Sequence, residues 1–285
     1  MSQLDLGVLD GPVLLFGGNY SNLQATEALI AETRRLGISP DRVICTGDVV
    51  AYCADPQATV DRMRDWGAHV LMGNCEESLG QGAADCGCGF EEGTMCSALS
   101  DAWYRYSVAH LAREAAEWMG TLPRAIRFTA KGRRFLCIHG GTRVINRFVF
   151  ESQGDAIAEE LAATDADCIV GGHCGIPFTR RVGDRLWHNP GALGMPANDG
   201  TPRVWFSLLR TTADGLRLEH HPLSYDHART AAAMRAARLP EGYASGLETG
   251  LWPSEDVLPP AERARRGQAI TAASAAWPSL RRTAA

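Results

Sequence analysis

Asp48, Asn74, His139 and His173 stand at one kind of place, each just after a short apolar run and beside glycine. Val43-Ile44-Cys45 leads to Thr46-Gly47-Asp48, and His69-Val70-Leu71-Met72 leads to Gly73-Asn74-Cys75-Glu76. Phe135-Leu136-Cys137-Ile138 ends in His139-Gly140-Gly141, and Cys168-Ile169-Val170 ends in Gly171-Gly172-His173. Two oxygen and two nitrogen donors suit a borderline divalent metal such as zinc, iron(II) or manganese. Glycine beside each donor lets the backbone approach or turn sharply where a Cβ would interfere. Alone, Asp48 would read first as a helix cap, and His139 as a satisfied core histidine. Recurrence at four strand ends favours a site.

The runs that deliver these residues are short, apolar and partly β-branched, which is the pattern of buried parallel strands. Ligands of open α/β sheets gather outside the carboxyl ends of such strands. Between them the spacing predicts helices after Ser21 or Asn22, over Pro56 to Gly67, in one or two pieces over Ala98 to Met119, and over Glu151 to Ala163. Val13 to Phe16 reads as the first strand. Ala125 to Thr129 with Arg133 to Ile138, and Phe178 to Val182 with Arg185 to His188, read as strand pairs around Lys131-Gly132 and Gly183-Asp184. A last hairpin, Arg203 to Leu209 with Leu216 to His221, is expected to end the sheet. Tyr225 to Arg238 and Ala261 to Ile270 read as helices.

The order and spacing of these pieces resemble the calcineurin-like metallophosphoesterase family from about Pro12 to about Arg238. That family looks like Asp-x-His, then Gly-Asp, then Gly-Asn-His-Asp/Glu, then a lone His, then Gly-His-x-His. Asn189-Pro190-Gly191-Ala192 matches as well. The resemblance implies an α/β fold, a four-layer α-β-β-α sandwich with a small helical cap insertion. It also implies metals that share the Asp of Gly-Asp and a bridging water or hydroxide that attacks a phosphoester. Residues 1–238 would form that domain, with a cap and cysteine-rich insertion at about 76–124, and 239–285 a C-terminal extension.

The departures fall on one side of this site. Gly18 stands where the family has its first Asp, Tyr20 where it has the first His, and Gly175 where it has the second His of the last motif. The residues belonging only to the first metal are therefore missing, while Asp48, Asn74, His139 and His173 of the second remain. Cys75 takes the place of the family's leaving-group histidine. The expectation is a phosphatase or phosphodiesterase using a single or atypical metal site. Asp48, Asn74, Cys75, Glu76, His139 and Arg143 are its candidate catalytic residues, and Asn19, Tyr20 and His188 its candidate substrate-facing ones. Arginine suits bidentate phosphate recognition, although a solvated arginine is commoner.

Nine cysteines invite a second reading. Cys75, Cys86, Cys88, Cys96 and Cys174 could form a thiolate site for a second zinc or an iron–sulfur cluster, or could be small reduced side chains. A non-hydrolytic metal or redox sensor and a pseudoenzyme scaffold thus stay open beside hydrolysis. The formal charge of -5 argues against a nucleic-acid surface. Met1 to Leu9 lacks a signal-peptide pattern, and no run reaches membrane-spanning length, so a cytoplasmic protein acting on a small phosphoester or a phosphoprotein is expected.

Overall fold

Alternate residues of Val13–Phe16 serve two different cores. Val13 and Leu15 face one, together with Ile44, Phe135, Cys137 and Val170. Leu14 and Phe16 face the other, with Leu29, Ile30 and Val60. A strand buried on both faces needs apolar residues throughout, which is why these runs are continuous rather than alternating.

The computed structural model describes residues 2–278; Met1 and residues 279–285, the end of the expected extension, lie outside the described residues. In chain order the strands are β1 (Gln3–Val8), β2 (Val13–Phe16), β3 (Val43–Cys45), β4 (His69–Val70), β5 (Ala125–Ala130), β6 (Arg133–Ile138), β7 (Cys168–Val170), β8 (Phe178–Val182), β9 (Arg185–Asn189), β10 (Val204–Thr212), β11 (Gly215–Leu223) and β12 (Ser274–Pro278). The helices are α1 (Leu23–Arg35), α2 (Pro56–Trp66), α3 (Asn74–Gln81), α4 (Met95–His110), α5 (Arg113–Gly120), α6 (Gly154–Ala162), α7 (His227–Ala236), α8 (Glu241–Thr249) and α9 (Pro260–Arg263).

One sheet runs β1-β5-β6-β7-β9-β8 and the other β12-β11-β10-β2-β3-β4. They stack face to face on the core that holds Val13 and Phe135. Helices cover the outer faces, α1 and α2 on the second sheet and α6, through Ile157 and Leu161, on the first. The result is the α-β-β-α sandwich that the resemblance implied. The parallel pairs β2–β3, β3–β4 and β6–β7 bring the ends of β3, β4, β6 and β7 to one rim. Those ends carry the four donors.

Most helix and strand ends shift from expectation by a few residues, α3 and α8 add to the expected helices, and three differences have a clear physical reason. Val13–Phe16 is the second strand, because the mostly exposed Gln3–Val8 pairs with β5 as an edge strand. The hairpin β10–β11 does not end its sheet, since β12 adds to β11 and buries Trp277 among the intersheet side chains. The helix expected over Ala261 to Ile270 stops at Arg263, and the chain turns so that Gly267, at φ 72°, donates its N–H to Asn198 O. Asn22 caps α1 as expected, its side chain accepting from Ala25 N at 3.0 Å. No helix among the described residues is long and apolar enough to cross a membrane.

Candidate metal centre

Three lone-pair atoms crowd one imidazole nitrogen. Asn74 Oδ1 lies 2.9 Å, His173 Nδ1 3.0 Å and Asp48 Oδ2 3.2 Å from His139 Nε2. The other nitrogen, His139 Nδ1, is 2.7 Å from Thr46 O. A carbonyl only accepts, so Nδ1 carries a proton, and the neutral ring then presents an unprotonated Nε2. Four electron-rich atoms facing one another repel unless a cation lies among them. Donors about 2.0–2.2 Å from a tetrahedral ion sit about 3.3–3.6 Å apart, a few tenths of an ångström wider than the 2.9–3.2 Å seen, a gap that a small outward shift of the donors closes. The residues therefore fit a divalent metal, and among the described residues Asp48, His139 and His173 form the one such group of three or more His, Cys, Asp or Glu.

Backbone strain aims two of the donors. Asp48 has φ 60° and His173 has φ 56°, both left-handed and uncommon for residues with a Cβ. Buried Glu76 holds the Asp48 loop in place, its carboxylate accepting N–H bonds from Asp48 at 2.7 Å, Val49 at 2.7 Å and Gly73 at 2.8 Å. Burial and the neighbouring Asp48 raise the Glu76 carboxyl to about 7. Asn189 steadies the other turn by donating to Gly172 O at 2.8 Å and Cys174 Sγ at 3.1 Å. With no cation between them, burial works against charge on Asp48 and on His139, but their mutual attraction prevails, lowering the first pKa and raising the second, so that a proton on His139 Nε2 stands where a metal would take its place. His173 is pushed down to about 3 by burial and by His139 beside it.

The place of the missing ligands is filled by a ring. A Cβ on Gly18 would overlap Tyr20, meeting its Cζ at 2.6 Å and Cδ1 at 2.7 Å. A Cβ on Gly175 would lie 3.8 Å from Tyr20 Oη and 3.7 Å from Trp252 Cζ2. Tyr20 thus lies across the two positions that would have supplied carboxylate and imidazole. Its ring packs on Tyr52, centroids 4.8 Å apart, and Tyr52 in turn on Tyr243 at 4.7 Å. These rings, with Asp48, His173, Phe148 and Trp252, line a cavity of about 80 Å³. Burial keeps the Tyr20 phenol protonated, its pKa well above the usual value.

A family model described as a calcineurin-like phosphoesterase superfamily domain matches residues 20–214, a span that contains all four donors. The chain belongs to the calcineurin-like phosphoesterase superfamily. An uncharacterised protein of Methanocaldococcus jannaschii is similar to it, 24% identical over 249 residues that cover 81% of this chain and 95% of the relative. Among solved structures, a metallophosphoesterase from Sphaerobacter thermophilus superposes with a TM-score of 0.67 at 22% identity, over 85% of this chain and 100% of that one. A hypothetical protein from Pyrococcus horikoshii superposes with a TM-score of 0.70 at 16% identity, over 85% of this chain and 99% of that one. At these identities the two structures attest the shared fold.

Calcineurin-like phosphoesterases are implied to depend on divalent metal, and the donors gathered here suit one. Other candidates lie elsewhere. Arg143 is exposed and borders a groove with Arg147, Glu159 and Glu160, not the cavity at the metal centre. Asn19 is spent inside the core, donating to Thr26 Oγ1 at 2.9 Å and to Met63 sulfur. His188 stacks on His220 at 4.6 Å and meets Thr179 Oγ1 through Nδ1, away from the cavity lining. Glu76 uses its carboxylate on backbone N–H groups, which leaves it a positioning residue. Cys75 is buried beneath Asp48, with its N–H directed to Asp48 Oδ1 at 3.2 Å, and burial keeps its thiol neutral.

The cysteines do not gather as the thiolate reading required. Cys86 and Cys88 are bonded to each other, and Cys75, Cys96 and Cys174 join no group of three metal-binding atoms among the described residues. Cys88, Cys96 and Cys174 instead belong to the cavity wall. The residues sequence reasoning missed are the remaining walls: Tyr52, Phe90, Phe148, Tyr243 and Trp252. Tyr243 and Trp252 come from the expected extension. Trp252 Nε1–H donates to Pro196 O at 2.7 Å, which pins the indole beside the centre.

Proposed function

We propose that this protein hydrolyses phosphoesters with one divalent cation held by Asp48, Asn74, His139 and His173. Superfamily membership supports metal-dependent phosphoester hydrolysis in general. The single-cation reading rests on the four donor atoms gathered at His139 Nε2. When bound, such a cation supplies Lewis-acid stabilisation of phosphoryl charge and makes water a nucleophile near neutral pH. The chain supplies the rest. Thr46 O fixes the His139 tautomer, and Glu76 fixes the loop that aims Asp48. The neutral Tyr20 phenol can donate a hydrogen bond to a phosphoryl oxygen from the place of the first metal.

Cys75, which takes the place of the leaving-group histidine, cannot reach the leaving oxygen, because it is buried and outside the cavity lining, and the Tyr20 phenol is too weak an acid to stand in for it. Hydrolysis should therefore favour good leaving groups such as p-nitrophenolate over alkoxides. The test is turnover of p-nitrophenyl esters by metal-loaded wild type beside Asp48→Asn and His139→Ala, each expected to lose more than about tenfold. Wild-type turnover that both variants retain would remove the proposal. A bound metal with no turnover of any phosphoester would move the protein to the sensing reading.

A further inference from the structure

Among the described residues, none that lines the cavity beside the donors carries a cationic side chain. The lining is Tyr20, Tyr52, Phe90, Phe148, Tyr243 and Trp252, with the donor His173, the cavity-wall cysteines, Ser254 and apolar residues, and among the described residues its only charged side chain is Asp48. A phosphate site normally surrounds its dianion with arginine or lysine donors. Here the nearby arginines lie on another groove. Arg147 pairs with Glu159 and Glu160, and Arg143 borders that same outer groove. The charge offered to a ligand is thus that of a divalent cation already half neutralised by the Asp48 carboxylate. Glu76 adds no positive charge behind it.

We propose that the site selects singly charged phosphoesters, that is phosphodiesters, and rejects dianionic monoesters. The proposal rests on the metal-dependent reading above. A diester carries one negative charge and brings the centre to neutrality. A monoester, whose second pKa is about 6, carries a second charge at neutral pH and leaves that charge against aromatic walls. Burying an unpaired charge is far more unfavourable than burying a paired one. The space of about 80 Å³ holds a phosphoryl group, so the two ester substituents lie along the apolar lining rather than in water. That lining also favours aromatic over hydroxylated substituents, since rings stack on rings and buried hydroxyls need partners.

The probes are phenyl phosphate and methyl phenyl phosphate, which share a ring and differ by one charge at pH 8. Calorimetric titration of metal-loaded protein should show the diester binding at least about tenfold tighter, the factor a single unscreened charge readily supplies. Phe90 and Val257 both line the cavity and neither is a metal donor, so Phe90→Arg and Val257→Arg each place a cation in its wall. Either should close the gap by about tenfold, and should shift the kcat/KM ratio for p-nitrophenyl phosphate over bis(p-nitrophenyl) phosphate in the same direction. Equal or tighter binding of phenyl phosphate to wild type would overturn the proposal, as would a gap that both arginine variants leave unchanged. If one variant does not fold, the other and the wild-type comparison still decide. Absent turnover with diester-selective binding would remove the hydrolytic reading and leave this one standing.

Discussion

Replacing Gly18 by alanine tests with one methyl group whether Tyr20 fills the place of the first metal. The added Cβ would meet Tyr20 Cζ at 2.6 Å and Cδ1 at 2.7 Å. The ring has little room to retreat, because Tyr52 packs edge-on against it and Tyr20 is only 6% exposed. Gly18 is not in the left-handed region, so alanine brings no backbone strain. On chain entropy alone the substitution would stabilise by about 0.4–1 kcal/mol. Overpacking of about 1–3 kcal/mol and partial loss of ring burial outweigh this, for a net loss of about 2 kcal/mol. Tyr20→Ala alone should cost about 3 kcal/mol. Were the two independent, the double variant would lose about 5 kcal/mol; with the ring gone the methyl group fits, and the loss should stay near 3, a coupling of about 2 kcal/mol. Urea unfolding of the four chelated proteins measures this cycle. Additivity within about 0.5 kcal/mol would show that the ring does not lie over Gly18.

Glu76→Gln leaves a single acceptor oxygen for N–H groups of Asp48, Val49 and Gly73, and turns an NH₂ toward the others. It should lower stability by about 2–4 kcal/mol and weaken metal binding, and a urea midpoint matching wild type would contradict the role given to Glu76. Burial depresses His220 to about 4. The folded state then binds fewer protons than the unfolded one below pH 6.5, so stability is complete above that pH and falls as pH drops toward 4, by up to about 3 kcal/mol. His220→Gln, able to keep the bond to Asn189 O, should flatten that acid limb in urea titrations from pH 7.5 to 4.5, and an unchanged slope would count against the assignment. Cys86→Ser with Cys88→Ser should leave the metal content per chain unchanged, since neither sulfur belongs to the donor group. Metal lost with those sulfurs would restore the thiolate reading.

The fold was legible because its buried strands are continuous apolar runs and its helices carry ordinary boundary signals, such as Gly67 closing α2 in the left-handed region. β1 and β12 were not, because an edge strand with exposed residues carries no such run. At the site, residues next to strand ends could be marked as candidate donors, but the direction of a side chain could not. Asn19 and Tyr20 are neighbours, yet one turns into the core and the other into the cavity, as the left-handed Tyr20 backbone dictates. Arg143 follows His139 by four positions and still faces another groove. Clustering of cysteines in sequence suggested convergence that the loop does not make. The aromatic walls from Tyr243 and Trp252 reach the site only through tertiary packing, and no local pattern announces it.

The central claim is a single metal held by four donors, and metal content per chain tests it most directly. Wild type and His139→Ala would be loaded with zinc, manganese or iron(II), freed of excess, and assayed by elemental mass spectrometry against protein concentration. The structure predicts about one ion per wild-type chain and essentially none in the variant. Two ions per wild-type chain, or one retained without His139, would contradict it.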